Sequence, residues 1–202
     1  MTAIVSGWRF QPIRAGGLAA AVGVFALGAW AFIQSGIQVN PTPSMPMGLY
    51  QAAPVGHVMR GDIVDACAPK SAVLLAISRG YLERGISCPG GGVTVLKTVA
   101  AVPGNTVDVT RRGVFINGKL WPESKPLAAD PKGRPLHPAY GVHHLAPGQY
   151  WLMGKNPLSW DSRYWGPVRM NHIRRSLRPI WVFSEQPNHN TTITREDHAY
   201  NG

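Results

Sequence analysis

Residues 15–33 read AGGLAAAVGVFALGAWAFI, 19 residues without a charged side chain. As a helix this run spans about 29 Å, close to the roughly 30 Å hydrocarbon core of a bilayer. It is longer than the roughly 7 to 15 apolar residues of a cleaved signal peptide. Ala and Gly all round a helix pack poorly in a small soluble core, whereas Gly is tolerated in membrane helices. The run therefore predicts a transmembrane helix over residues 15–33. Arg9 and Arg14 precede it and no charge follows until Arg60, so the positive-inside rule puts residues 1–14 in the cytoplasm. Residues 34–185 would then form an extracytoplasmic domain, held at the outer face of that membrane.

This division sorts the charges. The 202 residues hold 20 Lys plus Arg and 10 Asp plus Glu. All ten acids and 18 of the basic residues follow the run, which leaves everything after it, outer domain and tail together, at +8. Such a surface attracts a phospholipid membrane. The densest basic stretch, Arg169, Arg174, Arg175 and Arg178, reads either as a lipid-facing patch or as a solvated strand edge. No nucleic-acid-binding module is visible, and nucleic acid is not an expected partner. With 45% hydrophobic residues the chain is not disordered. Its 23 Gly and 18 Pro argue for many turns and few long helices.

The expected fold is mainly β, with the transmembrane helix and one short helix. Residues 48–53, 61–66, 93–102, 107–110, 113–121, 149–154 and 173–183 read as strands, and Asn117-Gly118 marks a tight hairpin. Residues 122–147, rich in Pro, His and Gly, read as an extended loop, and residues 186–202 as a flexible tail. Outside the cytoplasm thiols are oxidised, which favours a disulfide between Cys67 and Cys88 over two buried free cysteines. The disulfide would close a loop around KSAVLLAISRGYL, which has helical spacing.

Ser44 lies in N-P-T-P-S-M-P-M-G. This reads as a Pro-rich juxtamembrane linker, yet Pro43 and Pro46 leave the serine little backbone freedom, which suits a nucleophile. On a strand, Lys97 shares a face with Val93, Val95, Val99 and Ala101, the more apolar face. A buried lysine loses part of its preference for the charged form and can act as a general base near neutral pH. A lysine snorkelling from an edge strand is the plainer alternative. Together the two residues suggest a serine/lysine hydrolase. No G-x-S-x-G is present for a serine/histidine/aspartate triad. His137, His143 and His144 with Asp130 form a possible metal grouping, but exposed loop histidines are the plainer reading; no metal or cofactor is expected.

At this point the chain resembles type I signal peptidases, and more closely their conjugative-transfer, TraF-type branch. The resemblance rests on N-P-T-P-S-M-P-M-G-L-Y around Ser44, R-G-D-I-V at residues 60–64, and R-G-Y-L with C-P-G-G. It continues through L-K-T-V-A-A-V-P-G around Lys97 and M-G-K-N-P-L-S-W-D-S-R-Y-W-G-P-V at residues 153–168. It implies Ser44 as nucleophile, Lys97 as general base, and Thr42 with the Ser44 backbone N–H as the oxyanion hole. It also implies that Ser159 hydrogen-bonds the base lysine and that Asp161 and Arg163 form a supporting ion pair. Lys97-Thr98 and Pro103-Gly104-Asn105 depart from the Lys-Arg and Pro-Gly-Asp of general signal peptidases, and the box at residues 154–161 is one residue shorter. The function expected is a membrane-anchored serine endopeptidase that removes leader peptides from exported precursors, a pilin precursor above all, with hydrolysis or cyclisation of the product. The alternative is a non-catalytic assembly or scaffold protein of a conjugation or secretion apparatus.

Overall fold

The computed structural model describes residues 15–183. The expected cytoplasmic N-terminus and the expected tail from Gln186 lie outside the described residues. The uncharged run forms one helix, α1 (Ala15–Gln34), and Leu18, Val22, Phe25 and Trp30 on it are exposed. Among the described residues no helix is long and apolar enough to cross a membrane, so the expected crossing is not shown by the structure.

The body begins with β1 (Ile37–Asn40), β2 (Gly48–Pro54), β3 (Ile63–Ala66), α2 (Lys70–Arg79), β4 (Arg84–Cys88) and β5 (Val95–Ala101). It continues with β6 (Thr106–Thr110), β7 (Gly113–Ile116), β8 (Lys119–Leu120), β9 (Gly141–His144) and β10 (Gln149–Met153). It ends with α3 (Ser162–Trp165), β11 (Val168–Arg169) and β12 (Ile173–Val182). The fold is mainly β, in two sheets: seven strands in the order β1-β2-β12-β3-β5-β10-β11, and four in the order β8-β7-β6-β9.

Local chemistry sets several of these elements. Asn117 and Gly118 both have positive φ, 49° and 79°, which is the pair a two-residue hairpin turn needs between β7 and β8. α2 stops at Gly80, whose φ of 74° places it in the left-handed region and lets its N–H reach back to the last turn. Cys67 and Cys88 are bonded, with Cα atoms 5.5 Å apart, and this ties the end of β4 to the start of the α2 segment.

β10 divides the core. Trp151 and Met153 pack with Val107, Val109 and Ile116 on one side, while Leu152 packs with Val64, Val99 and Ile173 on the other. The strand's period of two thus feeds two clusters, and the large sheet is covered on both faces at this point. Leu152→Ala would cost about 2–5 kcal/mol by the cavity it leaves.

Three expectations change. β5 starts at Val95 rather than at residue 93, and Lys97 to Ala101 are buried on both faces, so alternation along the strand does not separate an apolar from a polar side. The stretch 122–147 is not all loop, because residues 141–144 form β9 against β6. β12 is not a sheet edge: it lies between β2 and β3, and Arg175 is engaged with Asp65 at 2.7 Å. Arg174, Arg175 and Arg178 therefore sit exposed on an interior strand, whereas Arg169 lies on β11 at the edge of the sheet.

Candidate active site

Ser44 sits on the connection from β1 to β2, where Pro41, Pro43 and Pro46 restrict the backbone. One side chain organises this connection. Asn40, the buried last residue of β1, donates from Nδ2 to the carbonyls of Thr42 (3.0 Å), Met45 (3.1 Å) and Pro46 (3.0 Å). Its Oδ1 accepts from the Thr42 N–H at 3.3 Å and from the Thr42 hydroxyl at 2.8 Å. The Tyr50 hydroxyl also donates to the Pro46 carbonyl at 2.6 Å, and the Lys155 N–H donates to the Ser44 carbonyl at 2.8 Å. Met45 turns inward and is 1% exposed, which leaves its neighbour Ser44 half-buried. Thr42 Oγ1 lies 3.4 Å from Ser44 Oγ.

Lys97 comes from the middle of the large sheet. Its position on β5 is opposite Val64 of β3, and it is 2% exposed. Nζ donates to the Leu96 carbonyl at 3.1 Å. Burial pushes its pKa down to about 8, against the attraction of the Asp161 carboxylate, with Arg163 adding a smaller downward push. Ser44 and Lys97 open onto one groove of about 790 Å³, and so do Thr42 and Ser159. Three aromatic rings line it as well: Tyr81 and Trp160 have ring centroids 5.6 Å apart, and Trp160 stacks on Tyr164 at 5.1 Å.

Ser159 is buried on the segment after β10, and its Oγ has no hydrogen-bond partner among the described residues. The bond to the base lysine implied by the resemblance is not formed, because Nζ is turned to its own strand. Gly154 sets how closely this segment approaches Ser44. A Cβ there would overlap Ser159 and come within 2.9 Å of the Ser44 carbonyl oxygen. Behind Ser159, Asp161 and Arg163 pair at 2.7 Å, both fully buried. Asp161 accepts from the Gly154 N–H at 2.9 Å and caps α3 through the Arg163 N–H at 3.1 Å. Arg163 donates in turn to the carbonyls of Asn156 (3.0 Å), Pro157 (3.0 Å) and Ser159 (3.2 Å). The ion pair thus fastens the whole 154–159 segment beside Ser44.

Of the remaining candidates Asp130 also lines the groove, whereas His137, His143 and His144 do not. His143 Nε2 is 2.9 Å from the Ala139 carbonyl and its ring packs on Trp151. His144 pairs with the Thr106 hydroxyl, and Asp130 is taken up by Tyr81 and Arg134. Among the described residues no group of three or more His, Cys, Asp or Glu is placed to hold a metal ion. Sequence reasoning missed Asn40 and Gly154. Asn40 carried a signal, since an Asn just before a turn readily bonds the backbone two residues on.

Comparison with known proteins adds the family. The signal peptidase, peptidase S26 family matches residues 13–181. The conjugal transfer protein TraF of Agrobacterium tumefaciens (strain 15955) is 41% identical over 170 residues, which cover 81% of this chain and 92% of that protein. A plasmid transfer protein TraF of Escherichia coli is 38% identical over 162 residues, 78% of this chain and 90% of its own. A crystal structure of a signal peptidase I from Enterococcus faecalis V583 aligns with 61% of this chain and 99% of its own, at 21% identity and a TM-score of 0.37; at that score it adds nothing to the assignment. A match running from before the Ser44 loop to the end of the last strand makes this chain a member of the peptidase S26 signal peptidase family.

Proposed function

We propose that the protein is a serine endopeptidase of conjugation that removes the leader peptide of an exported precursor, a pilin-like protein above all. One observation carries the chemistry: Ser44 and Lys97 open onto the same groove, and the lysine is buried with its pKa near 8. In the neutral form Lys97 Nζ accepts the Ser44 hydroxyl proton as Oγ attacks the scissile carbonyl carbon. The resulting oxyanion takes hydrogen bonds from the Ser44 N–H and the Thr42 hydroxyl, donors worth roughly 3 kcal/mol each when preorganised. Collapse breaks the C–N bond, Lys97 returns the proton to the leaving amine, and an acyl-enzyme ester remains on Ser44. The ester carries the segment N-terminal to the cut. After a leader cut water releases the leader, and a ring closes only where the retained segment is the pilin itself, its own N-terminal amine attacking the ester after a C-terminal piece has left. Ser159, Asp161 and Arg163 support this site by holding the 154–159 segment against the Ser44 carbonyl.

Two features support a membrane setting for the reaction. The uncharged run of 19 residues, as a helix, is about as long as a bilayer core is thick, and ten residues separate its end from Ser44. Trp181 and Phe183, exposed with ring centroids 4.6 Å apart, lie beside the same loop, since the Phe183 N–H donates to the Met47 carbonyl at 2.8 Å. A cleavage site emerging from the bilayer is then delivered next to the nucleophile, which supplies effective concentration. Conjugation enters from the names of the two TraF relatives.

The test is cleavage of a labelled pilin-type precursor by the full chain in detergent or lipid. Ser44→Ala and Lys97→Ala are expected to abolish it, and normal turnover by either overturns the dyad. Mass spectrometry of the product separates the two fates of the ester, because ring closure leaves it lighter by one water than hydrolysis does.

A further inference from the structure

The Thr42 hydroxyl has one proton, and the structure shows where it goes. Asn40 Nδ2 faces three carbonyl oxygens, which only accept, so the amide orientation is fixed and the amide oxygen must face Thr42. The Thr42 hydroxyl is 2.8 Å from that oxygen, and an amide oxygen cannot donate. Thr42 therefore gives its proton to Asn40. Its lone pairs are left toward Ser44 Oγ at 3.4 Å, and in that contact Ser44 is the donor. This is the reverse of what an oxyanion donor does, and the hydroxyl must rotate before it can serve an oxyanion.

We infer that Asn40 is a positioning residue for the peptidase reaction, fixing the Thr42 hydroxyl beside Ser44 and holding its proton until an oxyanion forms. The inference rests on the reading of Ser44 as nucleophile given above. Exchange of partners is favourable at that moment, because a hydrogen bond to a full negative charge is roughly twice as strong as one to a neutral oxygen. Asn40 is not left unsatisfied by it, since Oδ1 keeps the Thr42 N–H at 3.3 Å. The same side chain binds the backbone on both sides of Ser44, at Thr42 and at Met45 and Pro46, so the nucleophile and the rotating hydroxyl are held to one anchor.

The experiment is a double-mutant cycle on the full chain in detergent, with a fluorogenic peptide carrying alanine before the scissile bond. Asn40→Ala is expected to lower kcat by about 10- to 100-fold with KM changed less than about twofold. In a Thr42→Val background the same substitution is expected to lower kcat by less than about twofold, whereas in Thr42→Ser, which keeps the hydroxyl, the full loss should return. Equal losses in the wild-type and Thr42→Val backgrounds, or a change confined to the thermal midpoint, overturn the inference. Asn40→Asp keeps the acceptor and, as a carboxylate, holds the Thr42 hydroxyl more tightly than the amide does. If the alanine variant does not fold, the kcat loss of Asn40→Asp should vanish in Thr42→Val and return in Thr42→Ser, and an equal loss in both backgrounds overturns the inference. Ser44→Ala is the control: an inactive control beside uncoupled Asn40 and Thr42 overturns this inference alone, and an active control overturns the nucleophile reading and this inference with it.

Discussion

Ser44 and Lys97 reach one groove from opposite physical situations. Ser44 lies outside regular structure, half-buried, on a bend whose shape is set by directed hydrogen bonds from Asn40, Tyr50 and Lys155. Lys97 lies inside the largest sheet, packed on both faces, with a single hydrogen bond to its own strand. A hydroxyl needs orientation to become a nucleophile and gains little from burial. An amine needs to lose water to become a base near neutral pH, and the strand supplies that without any special partner. On the roles proposed for them, each group lies where its particular need is met.

The comparison predicts effects of graded size. Largest is turnover: Ser44→Ala and Lys97→Met should each lower kcat by at least about 10³-fold, and the double variant should be little worse than either, because the two act as a unit. Next is stability on the Lys97 side. Asp161→Asn leaves the Arg163 guanidinium buried without its counter-ion and should destabilise the fold by about 3–5 kcal/mol in denaturant titration, an effect with no counterpart at the exposed end of the Ser44 loop.

Lys97→Met should go the other way. The folded pKa of about 8 lies below the ordinary lysine value, so between about pH 8 and 10.5 the unfolded chain binds more protons and wild-type stability rises with pH. Below pH 8 the buried charge costs the wild type about 3 kcal/mol. Lys97→Met should therefore be more stable at pH 7, and should lose the rise that wild type shows from pH 8 to 10.5. Unchanged stability across that window would mean that the amine is not desolvated. Reduction of the Cys67–Cys88 bond should cost about 3 kcal/mol by the chain-entropy model, and reduced protein as stable as oxidised would contradict it. Smallest is the pH profile: kcat/KM should climb about tenfold per pH unit below 8 and flatten above it. A limb near pH 6.5 would transfer the role of base to a histidine.

Much of this arrangement is legible in the sequence, for reasons that differ by element. The hairpin of β7 and β8 follows from Asn117-Gly118 because only a few residue pairs accept positive φ, and α2 follows from apolar spacing stopped at Gly80. β9 is hidden, since Gly141, Val142, His143 and His144 carry no alternating pattern and become a strand because β6 offers an edge. β1 is hidden in the same way behind its neighbour β2. Lys97 was singled out on the premise of one apolar face, and the structure buries both. The Ser159 bond to that lysine was implied by resemblance alone, and the Leu96 carbonyl takes the proton instead. Asn40 went unread because its role lies in closing a loop on itself, which no periodicity records.

Strand order carries a consequence for synthesis. In the large sheet the β1–β2 pair that frames Ser44 joins the strand of Lys97 through β12 and then β3, and β12 is the last strand of that sheet to be synthesised. A chain that stops short of residue 173 contains every reactive group named above, yet its sheet lacks the strand that brings nucleophile and base together. Translation products that lack β12 should therefore bind no active-site label where the 202-residue chain does.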